Sequence, residues 1–68
     1  MKLSARNILK GTVVEITTGA VNAIVRIDIG GAVITSSITN AAGEELGLKV
    51  GEPGYAVIKA SDVMVGRD

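Results

Sequence analysis

Residues 21–31, VNAIVRIDIGG, carry the clearest strand pattern of this chain. Apolar residues occupy every second position from Val21 to Ile29, and the positions between them are mostly polar. Such period-two alternation is typical of a half-buried β-strand, and the Gly30-Gly31 dipeptide that follows favours a tight hairpin turn. We therefore predict a strand over residues 21–29 that turns directly into the next strand.

The same alternation predicts further strands on both sides of this segment. These are a first, a third, a fourth and a short fifth strand, at residues 8–16, 32–38, 55–59 and 63–65. Gly and Pro at residues 51–54 predict a turn. Five short strands with one helix between the third and the fourth indicate an all-β, OB-fold-like, Greek-key barrel. No repeat or linker interrupts the pattern, so residues 1–68 are predicted to form a single domain.

The one predicted helix begins where the alternation ends, at Thr39. Thr39 or Asn40 suits the N-cap position, because its side-chain oxygen can accept from a free N–H of the first turn. Residues 40–46 then supply about two helical turns. Gly47 suits the left-handed C-cap position, so the helix is expected to end there.

The composition points to an oligomer. A chain of 68 residues is one small domain, and such a domain buries only about 60% of the surface of its unfolded state. It has no Cys and no His for a disulfide or a metal staple, and Tyr55 is its one aromatic residue. Because a core of small aliphatic side chains buries little area, we predict an obligate oligomer with a largely apolar interface.

Charge and hydropathy argue against two classes of partner. Seven basic and seven acidic residues balance to zero formal net charge, whereas nucleic-acid-binding domains usually show a basic excess. No apolar run approaches the roughly 20 residues of a membrane span, and no signal segment opens the chain. We therefore expect no nucleic-acid partner, no membrane partner and a cytoplasmic location.

The two ends of the chain hold a matched pair of tripeptides, Ser4-Ala5-Arg6 and Lys59-Ala60-Ser61. Each offers one fixed positive charge, one hydroxyl and backbone N–H groups, and neither contains an acidic residue. Charge-assisted hydrogen bonds are about twice as strong as neutral ones, so the pair suits a compact, doubly charged oxyanion. A site forms if the fold brings the two ends together, within one chain or across a subunit boundary.

Each of these residues also has a simpler interpretation. Arg6 is then a solvated charge in a loose terminus, and Lys59 is a strand lysine whose stem lies along apolar surface. Ser4 and Ser61 then cap local turns. The anion site requires all of them to act together.

The chain resembles the molbindins, or Mop proteins, which are small cytoplasmic molybdate-binding proteins. The resemblance rests on Ser4-Ala5-Arg6-Asn7 ahead of a Gly-Thr-Val strand, on Ile38-Thr39 before Leu46-Gly47-Leu48, and on the run from Lys59 to Val63. It implies a barrel that exchanges strands in a dimer, with three dimers assembled into a homohexamer. It also implies that molybdate or tungstate is the ligand, bound in pockets between subunits.

The resemblance assigns roles to individual residues of the site. The side chains of Ser4, Arg6 and Lys59 match anion-binding positions, and a neighbouring subunit contributes the position of Thr39. Further donors, from backbone or hydroxyl groups, match Ala5, Ala60 and Ser61. Some relatives have an anion-holding Ser at the position of Ala42, where this chain keeps only a backbone group. A second class of oxyanion site, near a threefold axis, matches Thr18, Gly19, Ala20, Val21 and Asn22.

The predicted function is binding, storage and homeostasis of molybdate and tungstate. Without a His, no residue is a candidate base for a hydrolytic site, so the protein is not expected to be an enzyme. Molybdenum would arrive as a pre-formed oxyanion held by donors, with neither a metal-cation site nor an organic cofactor. Two alternatives remain: an oligonucleotide-binding OB-fold module, which needs stacking aromatics, and a ligand-free structural assembly module.

Overall fold

The computed structural model describes all residues from Met1 to Asp68 and has an all-β fold with a single short helix. The elements in chain order are β1 (Asn7–Thr18), β2 (Asn22–Asp28), β3 (Val33–Thr39), α1 (Asn40–Leu46), β4 (Pro53–Ile58) and a 3₁₀ turn (Ala60–Asp62).

The strands form one antiparallel, strongly curled sheet in the order β3-β2-β1-β4. The long strand β1 pairs with two neighbours, β4 along its first half and β2 along its second half. The two sets of pairs meet at Thr12. The curl also brings β2 into contact with β4 across the interior. Strands β3 and β4 are the two edges, and α1 lies on the connection between them.

The core is small and aliphatic. Val13 is fully buried, and Val25, Ile27 and Ala56 pack around it from β2 and β4. The even-numbered residues of β2 are exposed, so the predicted alternation of this strand is confirmed. Only 6 of 68 residues are buried. A single chain therefore covers little of its apolar surface.

A β-bulge at Val14 bends β1 in its middle. Val13 pairs with Ile27 and Glu15 pairs with Arg26, so Val14 is an extra residue without a partner on β2. A bulge of this kind increases the local twist and reverses which positions of β1 face inward. Val13 before the bulge is buried, and Ile16 after it packs against the core.

Gly11 sits where β1 passes close to the end of β2. A Cβ atom at this position would collide with the carbonyl oxygen of Asp28 and would lie 2.8 Å from Cγ2 of Ile27. Only a residue without a side chain fits there, so Gly11 allows the tight curl of the sheet.

Helix α1 has the predicted bounds and both predicted caps. The Thr39 hydroxyl accepts a hydrogen bond from the N–H of Ala42, at 3.0 Å. Gly47 adopts the left-handed conformation, with φ 63°, and its N–H reaches the last turn of the helix. The local signals in this segment were therefore sufficient to place the helix.

The strand bounds need correction at several ends. β1 extends beyond the predicted residues 8–16 on both sides, whereas β2 is shorter by one residue at each end. β3 is shifted one residue towards the C-terminus. Pro53 and Gly54 belong to β4 instead of the preceding turn, because they continue its pairing with β1, and Lys59 lies just beyond β4.

The predicted fifth strand, residues 63–65, does not form within the single chain. The segment follows the 3₁₀ turn, and no strand pairs with it. Met64 and Val65 are 94% and 95% exposed. The sheet of one chain therefore has four strands, and an apolar segment is left without a neighbour.

Candidate functional site

The two terminal tripeptides flank the same end of the β1–β4 pair. Asn7 opposite Ile58 is the last pair of this ladder. Ser4-Ala5-Arg6 therefore leads directly into one strand, and Lys59-Ala60-Ser61 directly follows the other. The side-chain amide of Asn7 donates to the carbonyl oxygen of Ile58, at 3.1 Å, and fastens the two ends together. We call residues 4–6 and 59–61 the terminal cluster.

The hydrogen-bond donors of the terminal cluster are free to bind a ligand. None of its six backbone N–H groups donates to an acceptor within the chain. The hydroxyls of Ser4 and Ser61 make no intramolecular hydrogen bond either, so the structure does not use them as turn caps. Successive N–H groups of a turn are a common element of anion-binding sites.

The two cations of the terminal cluster are also unpaired. Arg6 and Lys59 are exposed and take part in no ion pair. The one ion pair of the chain joins Arg26 and Glu15 across β1 and β2, at 3.7 Å, and such an exposed pair contributes little to stability. Both positive charges of the cluster therefore remain available.

The 3₁₀ turn shapes the C-terminal half of the cluster. The N–H of Asp62 donates to the carbonyl oxygen of Lys59, at 2.9 Å, and the N–H of Val63 donates to that of Ala60, at 3.3 Å. These bonds use the carbonyls and leave the first N–H groups of the turn without intrahelical partners. Ala60 and Ser61 consequently present donors beside Lys59.

Thr39 lies away from the terminal cluster. It pairs with Asn22, next to the turn that ends β1, whereas the cluster lies at the opposite end of that strand. Its hydroxyl oxygen accepts from the N–H of Ala42, so this N–H is not free for a ligand. The hydroxyl hydrogen of Thr39 has no acceptor within the chain. One chain therefore does not bring Thr39 to the cluster.

The second predicted region, Thr18 to Asn22, is the hairpin turn between β1 and β2. The N–H of Gly19 closes the turn by donating to the carbonyl oxygen of Asn22, at 2.8 Å. The N–H groups of Ala20 and Val21 donate to no acceptor within the chain. The region thus presents free backbone donors, although it has no fixed positive charge.

Sequence reasoning considered Asn40 only as a possible helix cap. In the structure its side chain binds the turn: Nδ2 donates to the carbonyl oxygen of Gly19, at 2.9 Å. The two residues are 21 positions apart, and no local pattern signals such a contact. Asn40 is the first residue of α1 and follows Thr39 directly, so it connects both of these predicted regions.

A model of the TOBE domain matches residues 3–65. Over 67 residues the chain is 61% identical to a probable molybdenum-pterin-binding protein of Haemophilus influenzae, with 97% of both chains covered. This chain belongs to the Mop family. Its members and relatives are described as molybdate-binding or molybdenum-pterin-binding proteins.

Solved structures of related proteins have the same fold as the Mop chain. A molybdate-binding protein of Sporomusa ovata has a TM-score of 0.92 at 36% identity, covering 98% of this chain and 100% of the other. The cytoplasmic molybdate-binding protein ModG, with molybdate bound, has a TM-score of 0.88 at 57% identity. That alignment covers 94% of the Mop chain but 46% of ModG, so ModG is about twice as long.

The helices of the Mop chain are short. Its α-helix and its 3₁₀ turn are both too short to cross a lipid bilayer.

Proposed function

We propose that this Mop chain binds molybdate and tungstate as oxyanions through the terminal cluster, and so stores them in the cytoplasm. The observation that supports this is the composition of the cluster: two unpaired cations, two free hydroxyls and backbone N–H groups, with no carboxylate among them. Such a set suits an anion with two negative charges and no proton. Phosphate is partly protonated at neutral pH, and the cluster holds no carboxylate to accept its proton.

An oxyanion fits the cluster better than a pterin does. A pterin is a flat aromatic ring with donors and acceptors along its edge, and proteins usually hold such ligands in largely apolar pockets with a few placed polar groups. Tyr55 is the one aromatic residue, and it pairs with Lys10 inside the β1–β4 ladder instead of lining the cluster. The proposed ligand is therefore the inorganic ion, with no organic cofactor and no catalytic step.

The proposed working form is a homohexamer, a trimer of dimers, in which chains exchange strands. An apolar groove of about 560 Å³ lies open between edge strands β3 and β4, and 11 of its 15 lining residues are hydrophobic. Residues 63–65 are apolar, exposed and unpaired. An exchanged strand that pairs with a neighbouring sheet would give these residues a partner and complete five strands. The order β3-β2-β1-β4, in which the fourth strand lies beside the first, supports the Greek-key barrel.

Exchange between chains also explains the position of Thr39. Thr39 and the terminal cluster lie at opposite ends of β1, so Thr39 can complete only the cluster of another chain. The proposed primary site is therefore shared at a subunit interface, with Ser4, Ala5, Arg6, Lys59, Ala60 and Ser61 from one chain. The turn from Thr18 to Asn22 is the proposed second class of site.

Native mass spectrometry with parallel calorimetric titration tests this function. Molybdate and tungstate should bind to an assembly of six chains in the micromolar range or tighter, an affinity near −8 kcal/mol. Sulfate, which is smaller, and molybdopterin should bind at least ten times more weakly. An assembly that shows no heat and no mass shift with molybdate would overturn the proposal. Tighter binding of molybdopterin than of molybdate would instead show that the pterin, and not the oxyanion, is the ligand.

Deletion of residues 63–68 tests the proposed strand exchange. We expect the shortened chain to lose the hexamer, because the segment proposed to pair with another chain is gone. Size-exclusion chromatography with light scattering would show the shift to smaller species. Deletion of residues 66–68 is the matched control, since it removes the exposed end but keeps residues 63–65. A hexamer that survives the longer deletion contradicts the exchange.

A further inference from the structure

Asn40 joins two regions that are distant in the sequence. Its side-chain Nδ2 donates to the carbonyl oxygen of Gly19, at 2.9 Å, and its backbone N–H donates to that of Val21, at 2.7 Å. Both acceptors belong to the turn between β1 and β2. Thr39 is its direct neighbour in the chain and pairs with Asn22. The proposed second site and the residue proposed to complete a primary site therefore meet at Asn40.

The bond to Gly19 sets the direction of a donor in the turn. All peptide bonds of the chain are trans, and a trans peptide points its C=O and its N–H in opposite directions. With the Gly19 carbonyl turned towards Asn40, the N–H of Ala20 is turned away from it. That N–H has no acceptor within the chain. Asn40 thus holds a free donor on the outer side of the turn.

The side chain of Asn40 is poorly suited to a role in fold stability alone. Its Oδ1 is buried and has no hydrogen-bond partner, and an unpaired buried acceptor is a cost to folding. Alanine would remove this cost together with the bond to Gly19, and it has a higher helix propensity than asparagine. The net contribution of this side chain to the stability of the chain is therefore expected to be small.

We propose that Asn40 is a positioning residue that couples the two classes of oxyanion site. It keeps the donors of the turn in place for the second site, and it transmits to them any shift of Thr39 that accompanies filling of a primary site. This inference rests on the proposed function. Coupling of this kind typically changes an affinity by about fivefold or more, and it acts equally in both directions.

The test compares Asn40→Ala with the wild type and with Asp28→Ala. Asp28 is a matched control, because its Oδ1 accepts from the N–H of Gly30, at 2.8 Å, in the other hairpin turn. In the absence of ligand, amide exchange at Gly19 should become about fivefold faster in Asn40→Ala, since the turn loses its tie to α1. It should stay unchanged in Asp28→Ala.

Molybdate titration then measures the coupling. The wild type and Asp28→Ala should show cooperative binding by the two classes of site. Asn40→Ala should bind about tenfold more weakly at the turn and without cooperativity, in an intact assembly seen by native mass spectrometry. Wild-type exchange and binding in Asn40→Ala would overturn the inference, as would an equal effect of Asp28→Ala or a dissociated Asn40→Ala assembly. Absence of molybdate binding in the wild type would instead contradict the proposed function, while exchange at Gly19 still tests the positioning.

Discussion

Arg6→Ala is expected to weaken molybdate binding by at least tenfold and to leave the assembly intact. Arg6 is exposed and unpaired in the free chain, so its removal breaks no internal ion pair. Its guanidinium would form charge-assisted hydrogen bonds with the anion, and a hydrogen bond to a charged group contributes about 1.5–3 kcal/mol. This corresponds to roughly a tenfold to 150-fold loss of affinity. Isothermal titration calorimetry measures it directly.

Arg67→Ala is the matched control for the loss of one positive charge. Arg67 is exposed and lies outside the terminal cluster. If binding depended only on the overall charge of the protein, the two variants would lose affinity equally. Equal losses would therefore argue against a defined site. Dissociation of the Arg6→Ala assembly would show that Arg6 is primarily an interface residue.

Gly11→Ala is expected to lower the thermal unfolding midpoint by more than about 10 °C. The added methyl group would collide with the backbone oxygen of Asp28, which can move only if the ladder between β1 and β2 moves. Overpacking costs about 1–3 kcal/mol and sometimes more, and a collision with backbone belongs at the upper end of this range, because a backbone oxygen cannot rotate away as a side chain can. Each kcal/mol shifts the midpoint of so small a domain by about 4–8 °C, so a cost of about 3 kcal/mol corresponds to a fall of more than about 10 °C. Calorimetric or circular-dichroism melting measures the change.

Gly66→Ala is the control for the glycine-to-alanine change itself. No atom lies within 4 Å of a Cβ at that position, and its backbone needs no positive φ. Its midpoint should match the wild type within about 4 °C, because surface substitutions usually change stability by less than about 0.5 kcal/mol. All variants need the same protein concentration, since the stability of an oligomer depends on it. Equal midpoints for the two variants would contradict the close approach at Gly11.

Those parts of the fold that depend on neighbouring residues were predictable from the sequence. The two ends of α1 could be placed at Thr39 and Gly47, because capping acts within one turn of a helix. The bulge at Val14 was not predictable, since Val13 and Val14 are both apolar and β-branched and only the register with β2 separates them. Residues 63–65 have a strand pattern but no partner within the chain. Pairing is a property of two segments, so a pattern in one of them cannot establish it.

The candidate site was likewise predictable only in those features that neighbouring residues determine. The chemistry of the terminal cluster was readable from Arg6, Lys59 and their neighbours, but their proximity depends on the pairing of Asn7 with Ile58. The distance of Thr39 from the cluster follows from the sheet order and has no signal in the sequence. Asn40 was missed because its partner, Gly19, is 21 residues away. Long-range contacts of this kind need the folded chain.

The position of Thr39, at the far end of β1 from the terminal cluster, has a consequence for the release of the anion. In the proposed site, no isolated chain holds a complete set of ligands, so binding and assembly favour each other by mass action. Dilution of the protein would then discharge its anion, and a rising anion concentration would protect the assembly against dissociation. A cell that changed only the amount of this protein would thereby also change how tightly each molecule holds its bound anion.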